Sequence, residues 1–130
     1  KIVGQVRAGS IIIPGNGNIY TSNRYYESFE TKRKYILQNE TIEEIKQPFY
    51  SVNISAYALR PIEIYSDIAL QNKLAVIPKN GEIEILLCTD SNNRSDKYLV
   101  RSSFGLIGWT KLIAGQYQSV DVEGLFYNGD

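Results

Sequence analysis

The stretch YLVRSSFGLIGWTKL, residues 98–112, decides how this chain folds. A strand that mixes apolar and basic side chains runs into Ser102-Ser103-Phe104-Gly105, and a second strand follows that holds the only tryptophan of the chain, Trp109. Gly105 can take the positive φ that a tight reversal demands without a Cβ clash. Gly108, inside the returning strand, leaves space for a neighbouring backbone or ring to come close, as the corner of a small barrel requires. Trp109 is then expected to close that barrel.

Outward from this hairpin, period-two alternation continues. PIEIY places Ile62 and Ile64 on one face against Glu63 and Tyr65. GEIEILLC sets Ile83, Ile85 and Leu87 against Glu82 and Glu84. Further β-like runs are GQVRAGSIII, GNIYTS, RKYILQ, FYSVNIS and KLAVIP, broken by the turn clusters at residues 14–17, 79–81 and 91–93. Many short strands at this spacing indicate an all-β sandwich or barrel. TIEEIK, residues 41–46, carries a capping-box pattern at Thr41 and Glu44. Six residues before Pro48 cannot nucleate a helix alone, so a strand with an irregularity is expected there. QNETIEEI and KNGEIEIL align at an offset of about 41 residues, with Asn39 over Asn80 and Ile42 over Ile83. The N-terminal half is therefore read either as a degenerate copy of the C-terminal fold or as a β extension packed on it.

Composition removes several functions. Fourteen basic and fourteen acidic side chains leave no net field to steer a polyanion, so nucleic acid is not an expected partner. No apolar run reaches the roughly 18 residues of a spanning helix. The chain begins at Lys1 and has no methionine, which leaves room for a removed signal or a lipoprotein anchor upstream. With no histidine, the commonest general base and zinc ligand is missing. Cys88 has no partner for a disulfide and no activating imidazole; at the end of EILLC it reads as a small buried strand residue. Glu82 and Glu84 share a strand face roughly 7 Å apart, a spacing that a carboxylate-dependent hydrolase can use and that a solvated outer face shows more often. Residues 90–96 hold an Asp/Asn/Ser run that fails as a calcium loop, with arginine at its fifth position and no glycine at its sixth. Neither a metal nor a cofactor is expected. Lys32-Arg33-Lys34 is a basic run that can touch an anionic group, offset by Glu27 and Glu30. Ten tyrosines supply broad rings with a polar tip, suited to a binding surface or to a half-exposed strand face.

Residues 57–113 resemble a bacterial SH3-like (SH3b) domain. The first strand is IEIYS, LAVIPKNGEIEILL supplies strand, turn and strand, and KYLVRSSFGLIGW ends in the glycine-x-x-glycine-tryptophan hairpin Gly105–Trp109. The pattern departs from the family at Lys97, where a tryptophan usually stands, and after Ser66, where a glycine and a proline are usual. The resemblance implies an SH3-like small barrel over residues 56–130 with a C-terminal strand extension. Residues 1–55 are then an N-terminal β region, a degenerate second barrel if the halves are tandem copies. It implies a non-catalytic binding module of the bacterial cell envelope, periplasmic or on the cell surface, that recognises peptide, cell-wall material or a protein partner. The groove-forming elements of that family hold Tyr65, Tyr98 and Trp109 here, and Arg60 or Arg101 can pair with a ligand carboxylate. Two other readings stand beside it: a structural or assembly domain with no small ligand, and a small hydrolase using paired carboxylates. The tail DVEGLFYNGD is expected to add an edge strand through Val120, Val122 and Leu125.

Overall fold

The computed structural model describes residues 4–6, 8–24, 28–89 and 97–128. The calcium-loop-like run at 90–96 lies outside the described residues. All described regular structure is strand, so the chain is all-β.

The first four strands, β1 (Ser10–Ile12), β2 (Asn18–Asn23), β3 (Thr31–Gln38) and β4 (Thr41–Ile45), form an antiparallel sheet in sequence order. Residues 41–45 are a strand, and the register from Gln38↔Thr41 to Lys34↔Ile45 runs without the expected irregularity. The reversal explains why. Asn39 and Glu40 have φ of 50° and 60°, so the two-residue turn matches the strand twist and needs no bulge.

The second sheet holds β5 (Tyr50–Tyr57), β6 (Ile62–Tyr65), β7 (Lys73–Ile77), β8 (Glu82–Cys88), β9 (Lys97–Ser102) and β10 (Ile107–Lys111). Its order is β5-β8-β9-β10-β6-β7, and this ladder ends at β5 and β7. The similar segments QNETIEEI and KNGEIEIL play different parts. In the first, β3 and β4 pair as a hairpin; in the second, β7 pairs with β6 while β8 pairs with β5 and β9. Pro78 sits at that change of partner, where its missing N–H costs the ladder nothing. The two halves therefore share local sequence and differ in strand order. Residue 55, where the halves were divided on sequence, lies inside β5, and the change of sheet falls between Ile45 and Tyr50.

The core follows from alternation. Ile62 and Ile64 of β6, Ile83 and Ile85 of β8, Tyr98 and Val100 of β9, with Leu112, Val122 and Leu125, are each at most 2 % exposed. Burying each such aliphatic side chain contributes about 2 kcal/mol. Phe29 joins Tyr50 and Val52 of β5 in the same cluster, which packs the segment before β3 onto the second sheet. The tail reaches the core through Val122 and Leu125, with Val122 bridged to Ala58, while Val120 is exposed. Its strand is β12 (Phe126–Tyr127), paired in parallel with β11 (Gly115–Gln116) rather than added to the edge of a large sheet. Ser28 N–H donates to the Phe126 carbonyl at 3.1 Å and Ser28 Oγ accepts from Phe126 N–H at 3.2 Å, so both chain halves meet at this corner.

Candidate functional site

The β9–β10 hairpin sets out the candidate face. Ser102 N–H donates to the Leu106 carbonyl and Gly105 N–H to Ser102, both at 2.9 Å, closing a three-residue loop with Gly105 at φ 97°. From this turn the strands return in register, Trp109 opposite Leu99 and Thr110 opposite Tyr98. β6 lies on the other side of β10, with Tyr65 opposite Trp109. A Cβ at Gly108 would stand 2.7 Å from the Tyr65 carbonyl oxygen, so the close backbone approach read from the sequence is present and β6 supplies it.

Alternation then separates the residues expected to act together. Tyr65 and Trp109 are half-buried neighbours on the sheet face turned away from the core. Tyr98 is on the opposite face and only 2 % exposed, a core residue that no ligand can reach. Val100, Gly108 and Thr110 are buried on the same face as Tyr98, as period two demands. Trp109 takes no place in the core cluster; its ring meets Phe49 at a centroid distance of 5.6 Å and an interplanar angle of 40°. Phe49 comes from the segment that joins the two sheets, and no local pattern in the sequence announces that contact.

Around Tyr65 the face is polar and ordered. The Tyr65 hydroxyl donates to Glu63 Oε2 at 2.6 Å, and Lys73 Nζ donates to Glu63 Oε1 at 2.5 Å. Lys73 first and Tyr65 second hold the Glu63 carboxyl below its ordinary value, and Glu63 raises both the Tyr65 hydroxyl and the Lys73 ammonium. A depressed carboxyl contributes stability that is complete above its unfolded value and is lost as pH falls through the lower folded value. The group is exposed, so water and salt screen the effect. In an NMR titration from pH 7 to pH 3, the Tyr65 ring signals are expected to move as Glu63 gains its proton, and Glu63→Gln should abolish that step. A Tyr65 titration unchanged in the variant would assign the step to another group.

The two arginines belong to different places. Arg60 Nε donates to Asp121 Oδ1 at 2.6 Å, and the carboxylate, only 1 % exposed, also accepts from Ile113 N–H at 2.7 Å. That hydrogen bond to Asp121 raises the Arg60 guanidinium above its ordinary value. Arg60 nevertheless keeps an exposed flank, and with Glu63, Tyr65, Leu70, Val76 and Lys111 it lines a cleft of about 380 Å³. Arg101 pairs across the β8–β9 ladder with Glu84. It lines a second cleft, of about 270 Å³, with Tyr57, Glu82 and Glu84. Of the five residues singled out on sequence, Arg60 and Tyr65 share a cleft, Trp109 adjoins Tyr65, Arg101 is elsewhere and Tyr98 is inside. Sequence reading missed Lys111 and Tyr57, although each ends a strand on the outward parity of its alternation.

Of the groups weighed on sequence for chemistry, Glu82 and Glu84 line the second cleft together. Cys88 is fully buried, Glu84 is engaged by Arg101, and among the described residues no three His, Cys, Asp or Glu side chains gather as metal ligands. Among the same residues no helix is long and apolar enough to cross a membrane. Compared with protein-family models, curated proteins and solved structures, the chain matches none.

Proposed function

We propose that this chain is a non-catalytic binding module with an SH3-like body, which recognises a peptide, a cell-wall fragment or a protein partner at the β6–β10 face. The strand order supports the SH3-like part. It brings the first and last strands of the resembling segment, β6 and β10, side by side around the β8-β9-β10 meander, a pairing that curls a sheet toward closure. The envelope setting, periplasmic or cell-surface, rests on the family resemblance.

The observation behind the binding reading is the cleft beside Tyr65. It offers an aromatic ring, two cations in Arg60 and Lys111 and one carboxylate in Glu63 within a single concavity. A zwitterionic chain such as a short peptide can pair its carboxylate with the cations and its ammonium with Glu63, while Tyr65 covers an apolar group. NMR titration with muropeptides and a short-peptide library is expected to shift Tyr65, Lys111 and Trp109. Tyr65→Ala should weaken the best ligand about tenfold. Absence of shifts at millimolar ligand, or equal affinity in Tyr65→Ala, would remove this reading.

One observation favours the structural alternative: Phe49 already occupies the ring of Trp109. If the face serves only to fasten the linker, Phe49→Ala will lower stability by about 1 kcal/mol and red-shift the indole emission while no ligand binds. An assembly role would show as sedimentation above monomer mass.

A further inference from the structure

A different cleft, on the first sheet, has chemistry that the face around Tyr65 does not share. Strand register sets two rows across its outer surface. Ile12, Tyr20 and Lys34 stand side by side on β1, β2 and β3, and Ser10, Ser22 and Lys32 form the adjacent row. The large row makes a wall and the two serines a low floor. Gln47, whose Nε2 donates to the Lys32 carbonyl at 3.0 Å, borders the same space. The resulting cleft is about 380 Å³, within the size range of small-ligand sites.

Its lining is unusual in two ways. Ile12 is 65 % exposed and Tyr20 is 40 % exposed, so a contiguous apolar wall faces water at the open edge of a sheet. At the other end stand two ammonium groups. Lys32 lies 3.8 Å from Glu30, whose Oε2 also accepts from Ser22 Oγ at 2.9 Å. Lys34 is half-buried and has no acidic partner among the described residues. Its stem is partly covered by the sheet face while its ammonium is left to meet an anionic group brought into the cleft.

We infer that this cleft binds a small amphiphilic carboxylate, its apolar body against Ile12 and Tyr20 and its anionic end at Lys34 and Lys32. The charge order selects the class. A cationic amphiphile meets two ammonium groups, a neutral one leaves Lys34 unpaired, and a carboxylate satisfies both ends. The same chemistry occurs in a free aliphatic acid and at the carboxyl terminus of a peptide ending in an apolar residue.

The test uses the full 130-residue chain, with amide NMR shifts and calorimetry. Octanoate is expected to shift Ser10, Ile12, Tyr20, Ser22 and Lys34, and octylammonium and octanol should bind at least fivefold more weakly. Lys34→Gln should lose about fivefold in octanoate affinity, Tyr20→Ala a similar factor, and Lys79→Gln, on a distant turn, none. Raising salt should weaken octanoate and leave octanol unchanged. A short peptide ending in a free leucine carboxylate provides the second arm. If it binds more tightly than octanoate and loses that advantage on amidation, the ligand is a peptide end; the reverse order assigns a free acid. Equal binding of octanoate and octylammonium, shifts confined to the Tyr65 face, or no shift at millimolar octanoate would overturn the inference. None of these results depends on whether the Tyr65 cleft binds anything.

Discussion

Gly108→Val is expected to cost about 3 kcal/mol and to lower the melting temperature by about 10 °C. The first atom of the new side chain would lie 2.7 Å from the Tyr65 carbonyl oxygen and 3.4 Å from the Ile64 Cβ. The nearest obstacle is backbone, and a strand held between β9 and β6 cannot swing aside as a flexible side chain would. Relief requires β6 to part from β10, which breaks the Trp109–Tyr65 pairing and opens the core over Ile64. The measurement is thermal or denaturant unfolding, read with the Tyr65 and Trp109 amide shifts in the folded state. Parental stability would mean that β6 does not approach β10 as described. Gly108→Ala should show the same direction with a smaller loss, because it adds only the first clashing atom.

The second large effect is expected from Asp121→Ala, at about 2–3 kcal/mol. This carboxylate is fully enclosed and joins two parts of the chain far apart in sequence: Arg60 before β6 and the Ile113 amide after β10. Removing it leaves the Ile113 N–H without that acceptor and releases Arg60, whose exposed flank lets it turn to water. The release of Arg60 is why the loss stays below that of breaking a pair buried on both sides. Asp121→Asn should lose less, since an amide oxygen can still accept one of the two bonds. Arg60→Gln is the informative companion. It leaves a buried carboxylate with the Ile113 amide alone and should lower stability on its own, read in the same unfolding measurement. Equal stability of Arg60→Gln and the parent would show that the arginine adds nothing to holding the charge.

This ion pair also changes what Arg60 can do at the Tyr65 cleft. A guanidinium fixed by a buried carboxylate offers its remaining N–H groups in a set direction, which suits recognition of a ligand carboxylate. Loss of binding in Arg60→Gln therefore cannot by itself separate a contact from a positioning effect. Lys111, which lines the same cleft without that tie, is the cleaner substitution for the ligand question.

Residue type and order alone determined most strands of the two large sheets, the turn at Gly105, the need for space at Gly108 and the faces on which Glu63, Tyr65, Glu82 and Glu84 lie, but not the short parallel pair of the tail. These depend on backbone sterics and on a two-residue period, interactions that span a few positions and can be read locally. Only the tertiary structure decided that Tyr98 packs inside, that Trp109 rests against Phe49, that Arg60 is held by a carboxylate 61 positions away, and that two similar segments end in different pairings. Each of those depends on which strands become neighbours. That choice is made by burying the apolar faces together over the whole chain, and no window of adjacent residues contains it.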